Sequence, residues 1–227
     1  MNMVRTSTDG QAHTRAVAVL SMAAGVASLA LLAMHPGGQA RDFAAVLREE
    51  TANQMEDALV HGGFIVVSAL QLVCYVVFSM RLGLHRAAVA AGLVFFAIGA
   101  AFLCDSMVMD GLVTPAIAAK YVGAPDKADF AKSLFVLIGA LIGVLMPAGL
   151  FFQSLGVASW GFALLRSPSP SRVAGALAVT IGAVIVGALA VTFGRLDPLV
   201  LMGGIVALAV WAFAAGVLLL GRTGWSA

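Results

Sequence analysis

Seven polar residues, Glu50, Gln54, Asp57, His61, Ser68, Gln71 and Tyr75, recur at a spacing that places them on one face of a helix of 3.6 residues per turn, and Ser79 continues the row. From Ala58 to Met80 the intervening residues are almost all apolar. In lipid an unpartnered polar group is costly, so such a row is expected to face protein, water or a ligand. Phe64 and Ile65 interrupt it, separating an outer band of carboxylates and imidazole from an inner band of hydroxyls and an amide. This pattern suits either a gated pathway through Gln54, Ser68, Gln71 and Tyr75 or two separate hydrogen-bond clusters that hold helices together.

The outer band carries the chemistry. Asp57 and His61 are four apart, close enough on a helix to bond each other or to share an ion. His35 falls at the outer end of the first apolar segment, and Asp105 and Asp110 fall at the outer end of the third. A site built from His35, Asp57, His61 and Asp105, with Glu50 or Asp110 as further ligands, is therefore available from three helix ends. Mixed imidazole and carboxylate suit zinc, manganese or iron. Cys104, Met107 and Met109, with Met34 beside His35, add softer atoms that suit copper, and two histidines from neighbouring helices are also the set that clamps a haem iron. Each has a plain structural alternative: His35 before Pro36 ends a helix, and Asp105 reaches outer water. His13 and His85 lie in polar surroundings and are expected to be solvated. No HExxH, GxSxG or P-loop pattern occurs and no lysine sits mid-span, so there is no recognisable catalytic motif.

Composition says what must position these residues. Of 227 residues 61% are hydrophobic and 11% charged, with a mean hydropathy of +1.01, far from ordinary soluble usage. A span needs about 20 mostly apolar residues. Six segments qualify: Thr14–Met34, Ala58–Met80, Ala87–Met107, Lys132–Leu165, Val173–Phe193 and Pro198–Leu220. The expectation is an all-α, six-span bundle in a single domain covering residues 1–227, with no stretch left for a soluble module. The first segment is longer than a signal peptide's apolar run and reads as an uncleaved span. The fourth exceeds the bilayer core and is expected to bend or break at Pro147.

Arginines 5, 15, 81, 86, 166, 172 and 222 fall on one side, and most acids, including Asp42, Glu49, Glu50, Asp110, Asp126, Asp129 and Asp197, fall on the other. By the positive-inside rule both termini are cytoplasmic and the acidic face is extracytoplasmic, as in a bacterial inner-membrane protein. No basic cluster suggests nucleic acid. Phe43, Leu47, Met55 and Leu59 recur at helical spacing among charges, predicting an amphipathic helix over 39–58 that either lies on the outer surface or projects from span two with a bend at Gly62-Gly63. Thr114-Pro115 reads as an N-cap and N1 proline opening a short helix to Val122 after an outer loop. Ser167 to Ser171 reads as a tight connector and Trp225 as an interface anchor. Cys74 and Cys104 should differ in depth by roughly 20 Å at helical rise, so they are expected to be free thiols. Gly139/Gly143, Gly175/Gly182 and Gly203-Gly204 are small-residue pairs suited to helix packing, within the bundle or in a homodimer or partner interface through spans four to six.

Three functions fit. The first is a membrane protein binding a metal ion or small polar ligand at its outer face, with affinity weakening as histidines protonate near pH 6. The second is a small transporter or channel along the polar face of span two. The third is an assembly or scaffold subunit docked through its acidic outer helix.

Overall fold

The computed structural model describes residues 5–35, 40, 42–167, 171–192 and 197–221. No strand occurs among them, and six helices are long and apolar enough to cross a membrane. In chain order the elements are α1 (Arg5–Met34), α2 (Phe43–Leu82), α3 (Ala87–Val108), a π-helical turn (Met109–Val113), α4 (Thr114–Tyr121), a 3₁₀ turn (Pro125–Lys127), α5 (Ala128–Leu165), α6 (Ser171–Thr192) and α7 (Pro198–Gly221). The Pro168–Pro170 part of the connector, Pro36 to Gln39 and Trp225 lie outside the described residues.

Helix α2 is continuous for 40 residues. At 1.5 Å per residue it is about 60 Å long, roughly twice a bilayer core, so Phe43 to Asp57 extends beyond the apolar Ala58–Met80 stretch. The amphipathic segment is thus the projecting start of this helix, with no break at Gly62-Gly63. Asp42 caps it, its Oδ1 accepting from the Ala45 amide at 2.7 Å. Gly83, at φ 92°, ends it, and Arg86 ties the following turn to α5 by donating Nη2 to the Ala163 carbonyl at 2.7 Å.

Two sequence expectations are corrected. Span three does not stop at Met107 before a loop: helical structure runs from Ala87 to Tyr121 through the π turn. Thr114 is accordingly no N-cap, since its backbone is helical and its hydroxyl donates to the Met109 carbonyl at 2.9 Å. The physical reason is Pro115, whose missing N–H and ring clash forbid an ordinary i→i−4 bond to Gly111. A turn with the wider i→i+5 spacing absorbs that conflict without ending the helix. At Pro147, too, α5 stays helical on both sides.

α3 packs along α5, α5 along α6 and α1 along α7, and α2 lies between α1 and α3 with α4 against its outer part. The α3–α5 seam is close because Gly99, Gly149 and Gly156 face it: a Cβ on Gly99 would stand 2.6 Å from the Gly149 carbonyl oxygen. Gly175 meets Gly161 and Gly182 meets Ser154 across α5 and α6, so these glycines pack within the chain, whereas a Cβ on Gly139 or Gly143 would meet nothing. Toward the C-terminal end of α2, Tyr75, Phe78, Phe96, Trp160 and Trp211 form one buried aromatic cluster, with Tyr75 4.6 Å from Phe96 and 4.8 Å from Trp160 between ring centroids. Ser79 completes it by accepting from Trp160 Nε1 at 3.0 Å.

Candidate metal centre

The polar row of α2 faces inward for most of its length: Asp57, His61, Gln71, Tyr75 and Ser79 are buried, Glu50 and Ser68 half-buried, and Gln54 exposed. His61, only 2% exposed, is the centre of the outer band. Its Nδ1 lies 2.8 Å from the Asp57 carbonyl oxygen, a group that can only accept, so the Nδ1 proton is committed there. Nε2 then faces Asp110 Oδ2 at 3.2 Å. A neutral imidazole so oriented presents a lone pair to a carboxylate. Two acceptors at that distance need a proton, on the imidazole or on the carboxyl, or a metal ion between them.

The His35 ring approaches edge-on, 5.0 Å from the His61 ring between centroids. Ligand atoms of His35, His61 and Asp110 all lie within 4.8 Å of one another, the geometry of a group that could hold one ion. With metal–ligand bonds of about 2.1 Å, two ligands 3.2 Å apart subtend roughly 100° at an ion, near tetrahedral. His61 and Asp110 thus already stand at the bite of a single ion, and the His35 ligand atom lies within 4.8 Å of both.

Each side chain arrives from a different element. His35 follows the last residue of α1, His61 lies on the buried face of α2, and Asp110 belongs to the π turn. Gly111 sets the contact: a Cβ there would collide with the Cβ and ring of His61. Absence of that atom lets the π turn close onto α2 and bring Asp110 within reach.

Asp57 and Glu50 stand behind this group. The Asp57 carboxyl is close enough to interact electrostatically with His61, Asp110 and His35. Glu50, on the projecting part of α2, is pushed from the ordinary 4.5 up to about 7 by burial first, then by the like charges of Asp57, Asp110 and Glu49. The like-charge part of that shift, from Asp57, Asp110 and Glu49, marks a region that favours a cation.

Asp110 stands at His61, whereas Asp105 is exposed and outside the three-residue group. Cys104 is a free, half-buried thiol, and buried Met107 lines a half-open chamber with Ser68 and Gln71. Met109 contributes its carbonyl to Thr114. Gly111 was not among the candidates. Its signal lay in the run Asp110-Gly111 four residues before Pro115, where a helix that continues must change its hydrogen-bond spacing.

Fold and site together define a class: an all-helical membrane protein with six transmembrane-capable helices and a cluster of two histidines and an aspartate at one end. No protein-family model, curated protein or solved structure matches the chain.

Proposed function

We propose that the protein binds one divalent transition-metal ion at the outer face of a bacterial inner membrane through His35, His61 and Asp110. Both termini are then cytoplasmic, since the arginine-rich connections lie at the opposite ends of the helices from this group. The carrying observation is the disposition of His61, whose Nδ1 is committed to the Asp57 carbonyl while Nε2 faces Asp110 Oδ2 at 3.2 Å. Two imidazoles and a carboxylate leave further coordination positions for water or a small ligand, a donor set suited to zinc, iron(II) or manganese. Copper is less well served, because Met107 faces the chamber beside Ser68 and Gln71 and Cys104 lies outside the group of His35, His61 and Asp110. For haem the imidazoles are too close, their centroids 5.0 Å apart with the Asp110 carboxylate beside them, leaving no slot for a porphyrin.

Metal analysis of the purified full chain after loading with Zn²⁺ tests this reading. The expected result is about one ion per chain in the wild type and in Asp105→Asn, with affinity lowered by about 100-fold or more in His61→Ala and Asp110→Asn. Substoichiometric zinc in the wild type, or equal content in wild type and His61→Ala, rejects it.

A further inference from the structure

Below the histidine group α1, α2, α3, α5 and α7 line a half-open chamber of about 50 Å³ whose polar wall is Ser28, Ser68, Gln71 and Gln153. Ser68 is seven residues from His61 along α2, about 10 Å of axial rise, and Phe64 lies between them on the chamber's edge. Inward, the next turn of α2 carries Tyr75, fully buried in the aromatic cluster. Along α2 the chamber is therefore separate from both the histidine group and the aromatic cluster.

Its hydrogen-bond account does not close with protein atoms. The Ser28 hydroxyl donates to the Ala24 carbonyl at 3.0 Å and accepts only a long 3.5 Å bond from Gln71 Nε2. The Gln71 carbonyl oxygen has no protein donor among the described residues, and the Gln153 amide has no partner of either kind among them. Gln153 is 3% exposed, yet its amide atoms are not among those sealed off without a partner, because they border the chamber. Its place is fixed by the α3–α5 seam, where a Cβ on Gly99 would stand 2.7 Å from Gln153 Cγ.

Buried amides in a low-dielectric interior take partners wherever space permits. The space here exceeds that of one water, whose share of liquid volume is about 30 Å³. No ionisable group lines the chamber and its amides offer both donors and acceptors, so its chemistry selects a small neutral molecule that can do both. We propose that this chamber is a hydrated site in the middle of the membrane, holding a small cluster of water between Gln153, Gln71 and Ser28.

Radiolytic hydroxyl-radical labelling of the full chain in lipid nanodiscs tests it, because radicals formed from enclosed water oxidise the side chain beside them. Met107, 8% exposed, lines the chamber, whereas Met146, 3% exposed, borders a gap of about 10 Å³. Met107 is expected to be oxidised several-fold faster than Met146. In Gln71→Leu/Gln153→Leu its rate falls to that of Met146; if that variant does not fold, Gln153→Met removes the free amide while keeping the side-chain length. Equal rates at the two methionines in the wild type overturn the proposal, as does a Met107 rate that a folded variant leaves unchanged.

Discussion

The outer and inner bands of α2 share one helix face and one kind of sequence, yet they end differently. At the far end of the row Ser79 closes its account inside the protein, its hydroxyl taking the Trp160 Nε1 proton at 3.0 Å, and the Tyr75 ring is walled by Phe96 and Trp160. His61 keeps one nitrogen on a backbone carbonyl and turns the other toward a second acceptor. Polarity alone in a membrane helix therefore does not mark function. What marks it is a set of donors and acceptors that the protein itself leaves unmatched.

Variants can separate the two bands, beginning with the largest effect. Trp160→Ala empties the centre of the aromatic cluster and orphans Ser79, and should cost about 3–5 kcal/mol of stability, read as a lowered unfolding temperature in detergent, while zinc content per folded chain stays at the wild-type value. Loss of zinc from the folded fraction would show that the two bands are one structure. Gly111→Ala should cost roughly 1–3 kcal/mol, because its methyl group drives into His61. Unlike Trp160→Ala it should also weaken zinc binding, about tenfold or more by titration, since it displaces a ligand.

Ser79→Ala removes only the acceptor of a buried indole N–H, and about 1–3 kcal/mol of destabilisation is expected, with zinc affinity untouched. The smallest effect is pH-dependent. Glu50 has a native pKa of about 7 against an ordinary 4.5, so in metal-free protein the native state holds more protons than the unfolded chain between those values. Stability contributed at this position falls as pH rises through that window. Glu50→Gln should therefore raise the unfolding temperature of metal-free protein slightly at pH 8 and leave it unchanged at pH 4. Thermal melts at the two pH values check this, and an equal shift at both would remove Glu50 from the anionic cluster.

Hydropathy made the six apolar helices legible, because the length of a span is set by the bilayer and not by tertiary detail. The inward direction of the α2 row was legible for the same kind of reason: a periodic polar stripe cannot face acyl chains. The π turn was not. Its bonds are chosen by a conflict between Pro115 and Gly111 and by the approach of His61, and neither is visible in a periodicity of 3.6. Ranking Asp105 ahead of Asp110 has the same origin. Five residues on an α-helix are about 140° of rotation, so the two aspartates point in different directions, and only the contact with α2 reveals which one meets the histidine. The continuity of α2 through Gly62 and Gly63 was likewise hidden, since glycine pairs are compatible with a bend but do not compel one.

A hydrogen bond that spans five residues instead of four means that the Met109–Val113 turn carries one residue more than an α-helix would use. A chain shortened by a single residue there could revert to an even α register, swinging Asp110 off His61 while sparing the six apolar helices. The site is thus separable from its scaffold by one codon, and the same arithmetic run backwards describes how a single inserted residue could have equipped an inert helix with a ligand.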